Sequence, residues 1–200
     1  MCSNSKQASG FTLLELMVII AIVGVLLAMA IPSFSDMIRN NRLTTYSNEL
    51  VTSLNIARSE ALKRNQHVVV RKTGTNWGDG WQIFVDVDRP TGNTSKENVF
   101  NDDGDSTLCE AGEDCLLRTY SALPTPYTLS SSFVNFIRYQ PDGTSNTFGN
   151  FVICAEATPK PYTSRLILVR YLGRTRVGKD SNNDGIPEKD DNSAFSCTTP

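Results

Sequence analysis

From Arg165 to Lys179 the chain carries five basic side chains, Arg165, Arg170, Arg174, Arg176 and Lys179, and no acidic one. The centre of this run is Gly173-Arg174-Thr175-Arg176. A glycine at the end of a strand can turn the chain by taking a positive φ. In an extended segment Arg174 and Arg176 then point to one side, about 6.6 Å apart. Two guanidinium groups so placed suit successive backbone phosphates, each held through paired hydrogen bonds. Such contacts fix position on DNA without reading its sequence. The other reading of the same arginines is a strand edge guarded by cations against pairing with another chain.

An acidic run follows at once. Asp180, Asn182, Asp184, Gly185, Glu188 and Asp191 stand at positions 1, 3, 5, 6, 9 and 12, which matches the oxygen-ligand spacing of a calcium loop. The run also resembles a thrombospondin type 3 repeat. It departs from an EF-hand in ending on Asp191 instead of glutamate and in lacking flanking helices; a polar connection to Cys197 is the alternative. Asn101-Asp102-Asp103-Gly104-Asp105 is a second acidic loop, read mainly as a turn closed by Cys109 and Cys115, with ion binding as the alternative. The carboxylates after Lys179 repel DNA from the arginines. Calcium bound to this run would neutralise part of that charge, so its removal is expected to weaken DNA binding.

The chain has 200 residues, a net charge of −2 and 20% charged side chains. That excludes a globally basic DNA binder and a chain disordered throughout. The single histidine, His67, excludes a multi-histidine metal site and reads as structural, at a strand start beside a helix end. The sequence holds no P-loop, nucleophile elbow or HExxH, so a non-enzyme is expected.

The elements that must position these residues begin with an apolar block. Residues 16–31 carry no charged or polar side chain. The whole run, 11–31, is interrupted mainly by Thr12 and Glu15 and as a helix is about 31 Å long, enough for a bilayer core. It is not a secretory signal: residues 1–10 hold one charge, Lys6, and the small residues Ser9 and Gly10 come before the run instead of after it. A plain membrane anchor leaves Glu15 unexplained, since a carboxylate there costs on the order of a few kcal/mol and marks function.

Gly10-Phe11-Thr12-Leu13-Leu14-Glu15 resembles the processing signature of type IV prepilins and of the pseudopilins of type II secretion. The resemblance implies cleavage after Gly10 by prepilin peptidase and N-methylation of Phe11. It also implies that Glu15 pairs with the N-terminal amine of a neighbouring pilin subunit, which supplies the cation a carboxylate needs in lipid. Loss of residues 1–10 removes Cys2 and leaves Cys109, Cys115, Cys154 and Cys197. An even count in an exported chain reads as two disulfides. Of three pairings, Cys109–Cys115 with Cys154–Cys197 is favoured; a zinc site is the alternative.

Helical spacing continues past the apolar block. Pro32 is expected to kink the helix, and beyond it Leu43, Tyr46, Leu50, Leu54, Ala57 and Ala61 recur every three or four residues, one apolar face of a helix reaching from about residue 12 to 64. Strands are expected at 67–72, 81–87, 116–120, 133–139, 150–154 and 165–171. The expected fold is α+β and type IV pilin-like, a long N-terminal helix packed on a small antiparallel β-sheet or β-sandwich head. Its divisions are a leader (1–10), a transmembrane and filament-core half-helix (11–34), an amphipathic half (35–65) and a β-rich head (66–200) with a disulfide-tied tail.

Asn41-Arg42-Leu43-Thr44-Thr45, Ala57-Arg58-Ser59-Glu60-Ala61, Arg64-Asn65 and Gly80-Trp81-Gln82-Ile83-Phe84 are similar to the GspH/FimT group of minor pilins and pseudopilins. Gly173, Arg174 and Arg176 resemble the Gly-Arg-x-Arg element of FimT-type pilins that bind DNA. The resemblance implies an inner-membrane, single-pass protein with a periplasmic head that joins a filament. It implies a minor pilin aiding DNA uptake in natural transformation, a structural minor pilin that primes pilus assembly, or a pseudopilin of type II secretion.

Overall fold

In the computed structural model, residues 11–87, 97–101, 113–156, 158–190, 193 and 195–197 are described, with the backbone alone of residues 29–33. One long helix, α1 (Leu13–Arg64), comes first. Thr12 caps it: its hydroxyl accepts from the Glu15 N–H at 3.2 Å and its carbonyl from the Leu16 N–H at 3.2 Å. This satisfies a first-turn donor that has no partner inside the helix. Glu15 lies in that first turn and Lys63 and Arg64 in the last, each charge at the helix end that favours it. The helix stops at Asn65, which has φ 53°, and the Gln66 N–H reaches back to the Ala61 carbonyl at 3.3 Å. That is a Schellman ending, with asparagine in the left-handed position.

The chain divides into two compact units, one ending at Arg39 and one starting at Asn40. In the first unit every side chain from residue 11 to 28 is exposed, including Phe11, Leu13, Leu14, Met17 and Ile20. Among the described residues no helix is long and apolar enough to cross a membrane. The expected span, 11–31, counts residues 29–31, whose side chains lie outside the described ones. The expected kink at Pro32 falls there too, and the helical assignment runs through that position without a break.

In the second unit the helix is one-sided. Leu43, Ser47, Leu50, Ser53, Leu54, Ala57 and Ala61 are buried, a stripe at helical spacing. Tyr46, expected in that stripe, is partly buried and packs edge-on against Tyr127. Eight strands follow: β1 (Val68–Lys72), β2 (Trp81–Val85), β3 (Cys115–Tyr120), β4 (Thr128–Ser131), β5 (Phe136–Tyr139), β6 (Gly149–Cys154), β7 (Ser164–Val169) and β8 (Thr175–Val177). They form two four-stranded sheets, ordered β3-β2-β1-β5 and β4-β6-β7-β8, in which every pair is antiparallel. The helix stripe shares one core with inward-facing side chains of both sheets, among them Val70, Ile83, Ile137, Phe151, Ile167 and Val169. The fold is therefore α+β, as expected.

Two strands depart from expectation. β4 offers one apolar side chain, Leu129, too little for period-two alternation to register. β8, expected only as extended chain, pairs with β7.

β6 and β7 are apolar on both faces. Phe151 and Ile153 with Ile167 and Val169 face the main core. Val152 and Cys154 with Leu166 and Leu168 face outward, where Ile186, Phe195 and Cys197 of the C-terminal tail cover them. Continuous apolar strands need cover on both sides, and the tail supplies it for the second sheet.

Candidate functional site

The Gly-Arg-x-Arg residues sit at the hairpin joining β7 to β8. Leu168 pairs with Arg176 and Val169 with Thr175. The turn is closed by the Gly173 N–H to the Arg170 carbonyl at 2.8 Å and by the Arg170 N–H to the Arg174 carbonyl at 3.1 Å. Gly173 has φ +70°, and a Cβ there would lie 2.0 Å from the Gly143 carbonyl oxygen. That carbonyl accepts from Arg58 Nε at 2.9 Å. Ser145 anchors the turn further: its N–H donates to the Tyr171 carbonyl at 2.9 Å and its hydroxyl to the Arg170 carbonyl at 2.9 Å. The glycine is thus fixed by backbone geometry and close approach, and the arginines are carried on a braced turn.

The basic residues do not all gather there. Arg170, Arg174, Arg176 and Lys179 are exposed. Arg165 is not with them. Its alternation along β7 puts it on the side of Ile167 and Val169, and its guanidinium donates to Asn40 Oδ1, to Thr44 Oγ1 at 3.3 Å and to the Ser164 carbonyl at 2.9 Å. Burial pushes its pKa down. The sequence grouping of Arg165 with the hairpin is corrected on this point: strand alternation turns it toward the helix. Thr175, also on that side, donates to Asn55 Oδ1 at 3.0 Å.

Arg176 faces outward, over the tail. There it shares one carboxylate with Arg170: Arg176 Nη2 meets Asp190 Oδ1 and Arg170 Nη2 meets Asp190 Oδ2. Among the described residues Arg174 has no ion pair. Asp190 is a site residue that the sequence alone does not single out. Its only sequence signal was membership of the acidic run, and pairing across 14 and 20 positions is not local information.

Within that run the carboxylates of Asp180, Asp184 and Glu188 each offer an oxygen within 4.8 Å of the others. The loop folds around them. The Asp184 N–H donates to Asn182 Oδ1 at 2.9 Å and the Gly185 N–H to Asp180 Oδ2 at 2.8 Å. The Ser181 N–H donates to Glu188 Oε2 at 2.7 Å. Gly185, with φ +83°, makes the turn that its position in the motif calls for. Asp191, the expected last ligand, lies outside the described residues, as do residues 102–105 of the second acidic loop.

Cys154 is bonded to Cys197 across 43 positions. Cys115 is also disulfide-bonded; Cys109, its expected partner, lies outside the described residues. At the N-terminus Gly10 lies outside them too, and Phe11 and Glu15 are exposed.

Comparison with known proteins gives two family matches. Residues 47–173 match the family described as type II transport protein GspH, and residues 5–31 match the prokaryotic N-terminal methylation motif. The first match ends at Gly173. A fimbrial protein of Pseudomonas aeruginosa is 37% identical over 68 residues, 34% of this chain and 44% of the relative. The pilin-like protein PilA1 of Thermus thermophilus is 39% identical over 79 residues, 38% of this chain and 47% of the relative. The chain thus spans less than half the length of these curated relatives. The crystal structure of the P. aeruginosa type IV minor pilin FimU superposes with a TM-score of 0.50 at 19% identity, covering 72% of this chain and 96% of that one. This last likeness is one of fold.

Proposed function

This chain belongs to the GspH family, and from that premise we propose that it is a minor type IV pilin that binds DNA through the β7–β8 hairpin and assists DNA uptake in natural transformation. The observation that carries this is the sharing of Asp190 by Arg170 and Arg176, with Arg174 exposed beside them. Two guanidinium groups already converge on the two oxygens of one anion, and a phosphate presents the same pair of acceptors. Lys179 adds charge at the far end of β8. Phosphate contacts alone give binding that ignores sequence and weakens steeply with salt.

The rest of the chain is consistent with that role. Prepilin peptidase cleaves after Gly10, Phe11 is methylated, and the apolar helix of residues 11–31 holds the protein in the inner membrane, single-pass, with its head in the periplasm. On assembly the same helix enters the filament, where Glu15 pairs with a neighbouring subunit's amine. The chain performs no catalysis.

The test is a binding series with the full chain in detergent, at several salt concentrations. Arg174→Ala with Arg176→Ala is expected to remove about two phosphate contacts and flatten the log–log salt slope by about 1.8. An unchanged slope would move the site elsewhere.

Calcium at Asp180, Asn182, Asp184, Glu188 and Asp191 belongs to the same proposal. The first four of these acceptors lie on the tail that carries Asp190, so neutralising them favours the approach of DNA. Binding is expected to be weaker in chelator than in millimolar calcium; equal affinity in both would remove calcium from the proposal.

A second reading is favoured by the same ion pairs. If Arg170 and Arg176 serve to staple the tail, the protein is a structural minor pilin that primes assembly, or a pseudopilin of type II secretion. A deletion strain without pili supports priming; one with normal pili and no transformation supports DNA uptake. Secretion genes beside this one point to the pseudopilin.

A further inference from the structure

We infer that the groove beside the β7–β8 hairpin accepts an unpaired nucleobase, so that the preferred partner of this site is single-stranded nucleic acid. The inference rests on the DNA-binding reading above and deepens it.

The groove has a volume of about 380 Å³, and its lining includes Phe148, Asn150, Leu168, Arg170 and Lys189. That is within the range, about 300–1,000 Å³, of clefts that take small molecules. At its rim Phe148 and Tyr171 hold their ring centroids 4.9 Å apart with planes inclined by 59°. Both rings are more than half exposed, Phe148 at 59% and Tyr171 at 57%, and Leu172 beside them at 65%. The rings come from separate segments, one before β6 and one in the hairpin turn, and the Ser145 bonds to the Arg170 and Tyr171 carbonyls hold the turn in place.

Three kinds of group converge here. Exposed aromatic faces stack with bases whatever their identity. Arg170 and Lys189 line the groove beside Asp190, and Arg174 and Arg176 stand on the adjoining hairpin, cations that suit a phosphate chain. Asn150 is only 7% exposed, and its Nδ2 has no hydrogen-bond partner among the described residues. A buried amide donor without a partner is costly. A base entering the groove brings acceptors, on ring nitrogens and carbonyl oxygens, that can satisfy it once the side chain turns. Bases in a duplex are stacked on each other and offer the aromatic pair no face, so only an unpaired base can use all three. A neighbouring protein subunit would cover the apolar rings but would use the surrounding cations only by bringing carboxylates to them.

The experiment compares three fluorescent 20-mers on the full chain in detergent at one salt concentration: a single strand of mixed sequence, the same strand with abasic sites throughout, and the duplex. The single strand is expected to bind about tenfold more tightly than the abasic strand and the duplex, the effect of one stacked base. Phe148→Ala with Tyr171→Ala is expected to remove that difference and leave duplex binding within about twofold. Phe148→Tyr with Tyr171→Phe, which keeps both rings, is expected to retain it. Equal binding of the intact and abasic strands by the wild type overturns the inference while leaving the phosphate site intact. Failure of all three to bind overturns the DNA-binding reading as well. Loss of filament incorporation in the double alanine variant, with the intact/abasic difference unchanged, assigns the rings to a subunit contact instead.

Discussion

Gly173→Ala is expected to destabilise the unit that begins at Asn40 by about 3–5 kcal/mol. Two effects add. The backbone has φ +70°, where an L side chain is strained, and the new methyl would stand 2.0 Å from the Gly143 carbonyl oxygen and 3.0 Å from Arg58 Nε. Neither neighbour can yield cheaply, because the Arg58–Gly143 bond and the Ser145 bonds to the hairpin hold both turns in place. Arg174→Ala, by contrast, removes an exposed side chain and is expected to stay within about 0.5 kcal/mol of the wild type. Denaturant unfolding of the two variants checks this; a loss of less than about 1 kcal/mol for Gly173→Ala would contradict the close packing described. The consequence for the motif is a division of labour. The glycine sets the fold of the hairpin and the arginines supply its charge, so a glycine variant that fails to bind DNA says nothing about phosphate contact at that position.

The second large effect is expected from Cys154→Ser with Cys197→Ser. A cross-link over 43 positions limits the unfolded chain by about 4 kcal/mol in the loop-entropy account. Its loss also frees Phe195 and Cys197 from Val152, Leu166 and Leu168. The double variant is expected to unfold at correspondingly lower denaturant, and its tail is expected to be cut first in limited proteolysis. A stability within about 1 kcal/mol of the wild type, with the tail still protected, would mean that apolar contacts alone hold the segment down.

Legibility in the sequence followed the range of the interactions. The buried helix face from Leu43 to Ala61 was readable because its period is local. Ser47 shows the limit: a small hydroxyl in the stripe looks polar in sequence and is buried in the fold. The unbroken apolar runs of β6 and β7 were readable as strands, but not what covers their outer face. That cover is supplied by Ile186 and Phe195, far along the chain and set among polar residues. Arg165 is a neighbour of the other basic residues in sequence but not in space, because period-two alternation turns it toward Asn40 and Thr44 and away from Arg170 and Arg176. The rings of Phe148 and Tyr171 meet through two turns, and no local pattern announces such a meeting.

The carboxylate shared by Arg170 and Arg176 bears on how the protein lets go. On the DNA-binding reading, an arriving phosphate takes the seat of an anion with the same forked shape. When the phosphate leaves, Asp190 returns. The two cations have an anionic partner both before and after the visit, so capture and release are an exchange of one anion for another. A strand handed past such a site is held briefly at each phosphate and then passed on, which suits a device that has to move its cargo and not merely keep it.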